Sequence, residues 1–232
     1  MTPLSPAGMI ELWERGVQRH PLDRNLLLLA SARPSETLQT LADVSIGQRD
    51  QALIAWRGVC FGRKMPAYVD CPACRTRLEF ALDTENFRSD GDDTPIAIDG
   101  LRVRRPTSRD LAAVLNEPDP EQAAYRLAQR CCADETGELP VLSATQLAQT
   151  SSILADADSA ADIVLDLVCE HCGHAWQSEF DIGSYLWQEI EAHAARLMAE
   201  IHTLARAYGW SERDLLSMSP PRRAAYLGTA GV

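Results

Sequence analysis

The sequence predicts an α+β protein, predominantly α-helical, in which a four-cysteine zinc ribbon is split by a helical insertion and followed by a long C-terminal helix. Three observations predict it. Two Cys-x-x-Cys pairs, Cys71 with Cys74 and Cys169 with Cys172, are each followed by a short run that reads as a strand. Helix start and stop residues punctuate the stretches before, between and after the pairs. Late in the chain, Leu186, Ile190, Leu197, Ile201, Leu204 and Tyr208 recur near helical spacing.

Residues 1–65 read as an N-terminal helical segment. Ser5 caps a first helix with Pro6 at its first position and Met9, Leu12, Trp13 and Val17 on one face. His20-Pro21 ends it, Leu22 to Ala32 form a second helix that stops before Pro34, and a third runs from about Ile46 to Phe61 ahead of Gly62. Residues 66–106 hold the first half of the ribbon. The Cys71-Pro-Ala-Cys74 turn feeds a strand from Arg75 to Leu82, where Leu78, Phe80 and Leu82 alternate with charged or small residues. Residues 88–95 form a loop. Asp99-Gly100 then joins residues 96–98 to residues 101–103 as a hairpin that adds a second strand pair to the ribbon.

Residues 107–158 return to helix as an insertion: Ser108 caps a segment through Leu115, Pro120 starts another through about Cys132, and Ser143 starts a third through Leu154. Residues 159–183 supply the second half of the ribbon, a strand from Asp162 to Val168 that delivers Cys169-Glu170-His171-Cys172 and a return strand from Ala175 to Phe180. Residues 184–232 form the C-terminal helical segment. Ser184 caps its long helix, Gly209 ends that helix after Tyr208, and Ser211 and Ser219-Pro220 start two short helices, the last stopping at Gly228.

Two Cys-x-x-Cys turns supply four thiolates with the bite that tetrahedral zinc requires, so Cys71, Cys74, Cys169 and Cys172 are assigned to one structural Zn2+. His171 and His174 suggest a catalytic metal, but a hydrolytic site uses three protein ligands and a water, and four cysteines would compete with both histidines. Cys60, Cys131 and Cys132 read as ordinary buried or half-buried thiols. Asp90, Asp92 and Asp93 lack the ligand ladder of a calcium loop. Arg102, Arg104, Arg105 and Arg109 are the one basic concentration, read as keeping a hairpin edge soluble or as meeting an acidic partner. No phosphate loop, dinucleotide fingerprint, nucleophile elbow or His-Glu-x-x-His helix occurs, so the expectation is a protein that is not an enzyme and takes no small-molecule substrate.

A formal net charge of -11 argues against a nucleic-acid partner, which a basic face would attract. The longest apolar stretch, around Leu26 to Ala30, is far short of the roughly 20 residues that cross a bilayer, so no membrane insertion is expected. Met1 to Gly16 carries Glu11, Glu14 and Arg15 and does not read as a secretion signal, which makes the expected location cytoplasmic and metal a better use of the paired cysteines than disulfides.

Several short stretches carry a family resemblance. Ile46-Gly47-Gln48-Arg49-Asp50, Pro106-Thr107-Ser108-Arg109-Asp110-Leu111, the two knuckles, and Ala207-Tyr208-Gly209-Trp210-Ser211-Glu212 with Arg222-Arg223 and Tyr226-Leu227 together resemble T-even-type phage baseplate hub assembly proteins and their relatives in bacterial contractile injection systems. The resemblance spans about Leu12 to Leu227, and the Tyr-Gly-Trp-Ser-Glu block is its distinctive part. It implies no catalysis, partners among baseplate hub or wedge proteins, and incorporation into a phage-tail-like particle or transient service to one. The split ribbon is not expected in every phage member. Trp210, Tyr208, Arg222 and Arg223 are the expected partner surface, with Trp210 partly exposed just past the helix stop. The alternative is a zinc-ribbon adaptor of another intracellular complex.

Overall fold

Short polar side chains set most of the helix starts. The computed structural model describes residues 1–87, 94–98, 100–132, 138–157 and 160–230. At the N-terminus come α1 (Pro6–Gly16), α2 (Pro21–Ala32), α3 (Leu38–Ala42) and α4 (Ile46–Phe61), capped by Ser5, His20, Thr37 and Ser45. Each cap accepts from a backbone amide that the first helical turn leaves without a partner. The five-residue α3 was not expected; it is too short for hydrophobic periodicity to register.

Gly62, at φ 88°, ends α4 and turns the chain into β1 (Lys64–Asp70), which pairs antiparallel with β2 (Arg77–Asp83). Sequence reading found only the second strand of this hairpin, because Pro66 and the charged ends of β1 mask its alternation. A 3₁₀ turn (Thr84–Phe87) follows. Then come β3 (Ile96–Ile98), β4 (Leu101–Val103), α5 (Ser108–Val114), α6 (Pro120–Cys131) and α7 (Ala144–Ala157). The chain returns through the antiparallel pair β5 (Val164–Val168) and β6 (Ala175–Glu179) to α8 (Ile182–Tyr208), α9 (Glu212–Ser217) and α10 (Pro220–Thr229).

Two cores divide the molecule. The larger joins Leu12 of α1, Leu28 and Leu29 of α2, Leu53 and Trp56 of α4, Met65 of β1 and Leu186, Trp187 and Ile190 of α8. The N-terminal helices and the long C-terminal helix, which sequence reading places in separate segments, therefore bury one another. Their approach is close: a Cβ on Gly16 would lie 2.4 Å from the Trp187 ring, so only glycine lets α1 and α8 meet there. The smaller core belongs to the insertion and gathers Val103, Ala128, Cys132 and Leu142 with Ile98, Leu101, Tyr125 and Leu147 beside them.

That smaller core corrects one expectation. The strands β3 and β4 pair with each other and pack on α6 and α7; they add nothing to the hairpins that carry the cysteine pairs. Their apolar residues face the insertion helices because those helices present the nearest apolar stripe. Gly100 has φ 80° as the turn requires, whereas Asp99 and the loop at 88–93 lie outside the described residues.

Three helix ends shift by a few residues. Asp181, not Ser184, caps α8: its Oδ1 accepts from Gly183 N–H at 2.9 Å and Ser184 N–H at 3.2 Å, and its Oδ2 takes the Ser184 hydroxyl at 2.6 Å. Thr107, not Ser108, caps α5. The final helix α10 continues through Gly228 to Thr229, since nothing there demands positive φ.

Candidate metal centre

Each Cys-x-x-Cys turn closes the tip of its own hairpin with the same backbone pattern. In the first, Cys71 N–H donates to the Thr76 carbonyl and Arg75 N–H to the Cys71 carbonyl, both at 2.9 Å. In the second, Cys169 N–H donates to the His174 carbonyl and Gly173 N–H to the Cys169 carbonyl, both at 2.8 Å. Strand pairing continues outward from both, Asp70 opposite Arg77 and Val168 opposite Ala175. The fifth residue of each turn takes positive φ, 61° at Arg75 and 72° at Gly173. Glycine adopts that conformation freely, whereas the Cβ of Arg75 is strained there.

This repeated local geometry aims two sulfurs from each tip at a common point. Cys71 Sγ lies 3.8 Å from Cys172 Sγ, Cys74 Sγ lies 3.6 Å from Cys169 Sγ, and all four sulfurs fall within 4.8 Å of one another. The close contacts run between the knuckles, linking positions as far as 101 residues apart. A disulfide needs about 2.05 Å, so these thiols are free. Four sulfurs at metal–sulfur bonds of about 2.3 Å span tetrahedron edges of about 3.8 Å, which these two distances match. The donor set therefore fits a structural metal ion. Among the described residues no other group of three or more His, Cys, Asp or Glu side chains converges in this way.

The first cysteine of each turn is inside, Cys71 at 0% and Cys169 at 1% exposure, while Cys74 is half-buried and Cys172 exposed. The electrostatics show competition for negative charge. The Thr76 side chain and amide hold the Cys74 thiol down at about 6. At Cys172 the His174 amide favours the thiolate, yet the thiols of Cys74, Cys169 and Cys71 outweigh it and push the group up to about 12. Four thiolates this close repel unless a cation lies between them.

His171 and His174 are both exposed and outside the sulfur cluster; His174 stacks on Trp176 with ring centroids 5.9 Å apart. Cys131 and Cys132 are buried and Cys60 is half-buried, as expected of packing thiols. The hairpins diverge beside the cluster and leave a cleft of about 520 Å³ lined by Leu78, Phe80, Leu167 and His171. Asp90, Asp92 and Asp93 lie outside the described residues.

The C-terminal candidates form a second assembly. Trp210 is half-buried, stacked on Tyr208 at 4.5 Å and edge-on to Tyr226 at 4.8 Å, and the Tyr208 hydroxyl donates to the Tyr226 carbonyl at 3.3 Å. Arg222 is exposed, 5.8 Å above the Tyr226 ring. Arg223 is a correction: it is 3% exposed, its Nε donates to Glu200 at 3.1 Å and its Nη1 to the Met218 carbonyl at 2.9 Å. It ties α10 to α8 and presents no surface to a partner.

Sequence reasoning missed the ion pairs that the arginines make. Arg104, expected on a hairpin edge, joins Arg130 on the carboxylate of Asp110, which also accepts from the Thr107 amide and hydroxyl. Arg109 instead reaches Asp43 at 2.5 Å. Arg57 is 2% exposed and pairs with Glu189 on α8. The available signal was placement: Arg57 follows Leu53, Ile54 and Trp56 in an otherwise apolar stretch, where a charge must find a partner.

No helix among the described residues is long and apolar enough to cross a membrane. Comparison of the chain with family models, with curated proteins and with solved structures finds no match.

Proposed function

We propose that this protein is a non-enzymatic assembly factor or structural component of a contractile-tail or contractile-injection-system baseplate, stiffened by one structural Zn2+ and acting through protein contacts. The observation that carries the structural role of the ion is the crossed sulfur cluster. Four thiolates complete a tetrahedral site with no position for water, so the ion clamps two hairpins instead of activating a reactant. Zinc is the ion of choice for four thiolates in this geometry. The hairpin pair is then a ribbon in the functional sense: two tips joined through metal, with the insertion held between them.

The baseplate assignment rests on the sequence resemblance, and two features support a role through contacts. The motifs at 46–50 and 106–111 meet where Ile46 N–H donates to the Pro106 carbonyl at 2.9 Å and Ser45 bridges Thr107. The Tyr208, Trp210 and Tyr226 cluster, with Arg222 over its edge, offers aromatic anchors of the kind that dominate interfaces. Partners are hub or wedge proteins, met in the cytoplasm during assembly.

The test is affinity capture of the tagged protein from its native host, with partners identified separately in assembling and mature tail fractions. Hub or wedge proteins captured in the assembling fraction alone mean a chaperone, and in both fractions a lasting component. Capture of neither overturns the baseplate reading and leaves the zinc-clamped adaptor of another complex.

A further inference from the structure

The cleft between the two cysteine-bearing hairpins is walled by strand edges. Residues 76–80 form one side and residues 167–171 the other, with nothing from β1 or β6. Successive side chains of a strand point to opposite faces, so a run of neighbours lines a cavity only along an edge. The hairpins are held together at both ends. At the tips Cys74 Sγ lies 3.6 Å from Cys169 Sγ, and at the base the Phe87 and Phe180 rings stack with centroids 5.6 Å apart. Between those two points β2 and β5 do not pair, and each belongs to a sheet of two strands.

The register leaves main-chain groups free along both edges. Cys71 N–H donates to the Thr76 carbonyl and Cys169 N–H to the His174 carbonyl. The neighbouring pairs, Asp70 with Arg77 and Val168 with Ala175, are therefore non-hydrogen-bonded ones whose amides and carbonyls point away from the partner strand. By the same alternation Arg77 and Glu79 of β2, and Asp166 and Val168 of β5, present N–H and C=O groups that have no main-chain partner among the described residues. The far edge of β1 is closed by contrast: Pro66 has no N–H to offer, and its carbonyl accepts from the Tyr185 hydroxyl at 2.8 Å.

We infer that the cleft receives an extended segment of a partner protein, which pairs with β2 on one side and β5 on the other and joins both hairpins into one five-stranded sheet. Strand addition to an open edge is an established mode of peptide recognition, and here two edges face the same cleft. Because β2 leaves the tips and β5 approaches them, the added strand runs antiparallel to one and parallel to the other. A strand has a cross-section of about 4.8 by 10 Å, so a cleft of about 520 Å³ takes about three of its residues. Half-buried Leu78, Phe80 and Leu167 call for apolar side chains on the inner face. At the outer rim Arg77 is already paired with Asp70, and the exposed Glu79 and Glu170 call for Lys or Arg. The occupant is thus a segment that alternates apolar with basic residues. A second copy of this chain would bring the same carboxylates and a net charge of -11 against them. The inference goes beyond the baseplate reading and does not rest on it, since it needs only the two open edges.

The experiment titrates isotope-labelled, zinc-loaded full-length protein with an acetylated and amidated hexapeptide of alternating Val and Lys, and follows backbone amide exchange by NMR. Saturable binding is expected, with the amides of Arg77, Glu79 and Val168 exchanging about tenfold more slowly in the complex. The same peptide N-methylated at alternate amides keeps its charge and apolar surface but loses main-chain donors, and should bind about tenfold more weakly. Glu79→Gln combined with Glu170→Gln should weaken binding of the unmethylated peptide about threefold at an unchanged melting temperature. The inference is overturned by an absence of saturable binding, by binding that neither N-methylation nor the charge variant weakens, or by binding that leaves those amides unprotected. Protection of the same amides in the free protein that grows with its concentration would give the edges to a second copy and overturn the choice of occupant. No baseplate protein takes part, so this result and capture from the host are read separately.

Discussion

Arg57 and Glu189 join α4 to α8 through two charge-assisted hydrogen bonds, Nη2 to Oε1 at 2.5 Å and Nε to Oε2 at 2.8 Å. The same guanidinium donates Nη1 to the carbonyls of Gly62 and Lys64, at 2.6 and 2.7 Å, where the chain enters β1. Tyr185, one turn earlier on α8, donates its hydroxyl to the Pro66 carbonyl at 2.8 Å. The strand that delivers Cys71 is thus anchored to the helical core before it reaches the cysteine cluster.

Replacing Arg57 with leucine should remove that anchor and leave Glu189, whose side chain is 19% exposed, without its cation. The expected loss is about 3 kcal/mol, measured by urea denaturation of the zinc-loaded protein. A loss below about 1 kcal/mol would mean that the pair contributes little beyond its own desolvation.

Serine at Cys74 or Cys172 should abolish metal loading and release the hairpin tips, because ligand assembly and local folding are coupled. The larger core draws mainly on α1, α2, α4 and α8, so most helical circular dichroism should survive. Metal content by atomic absorption should fall from one ion per chain to none. An unaltered melting temperature in a metal-free variant would remove the structural role.

Arg75→Gly should stabilise the first knuckle by about 1 kcal/mol, since φ 61° strains a residue with a Cβ and not glycine. Gly173 already occupies the equivalent place in the second knuckle. The check is slower release of metal to a chromophoric chelator; faster release would mean that the arginine side chain contributes more than its backbone strain.

Asp110 supplies a pH dependence. Burial raises its carboxyl pKa, but the Arg104 hydrogen bond and charge, with the Thr107 hydroxyl and amide, outweigh it and hold the group below the ordinary carboxylate value. A depressed folded value means that its contribution is complete above the unfolded pKa of about 3.9 and is lost as pH falls through the folded one. Asp110→Asn should therefore cost about 2 kcal/mol at pH 7, where Arg104 and Arg130 remain partly solvated, and the gap to wild type should narrow as pH falls below the unfolded carboxylate value. A gap independent of pH would assign the loss to packing.

Local chemistry was legible in the sequence. The grouping of four thiols followed from two identical spacings, because a Cys-x-x-Cys turn presents both sulfurs on one side whatever surrounds it. Most helices followed from Ser and Pro at their starts, because capping is settled within one turn. Two boundaries slipped for the same local reason: Asp181 and Thr107 sit a few residues before Ser184 and Ser108, and any of the four is a competent cap.

What the tertiary structure decided is which distant pieces meet. Spacing assigned β3 and β4 to the ribbon, and packing gave them to the insertion, where Val103 finds Ala128 and Leu142. Arg104 was expected on a hairpin edge and Arg223 on the partner surface that the resemblance implies, and the fold buried Arg223 against Glu200 and turned Arg104 toward Asp110. Sequence by itself determined the donor set, the helix punctuation and the charge. The folded chain alone determined that Cys71 meets Cys172 and that Arg49 retains an unpaired nitrogen, because burial and charge pairing depend on contacts between residues that no local spacing relates.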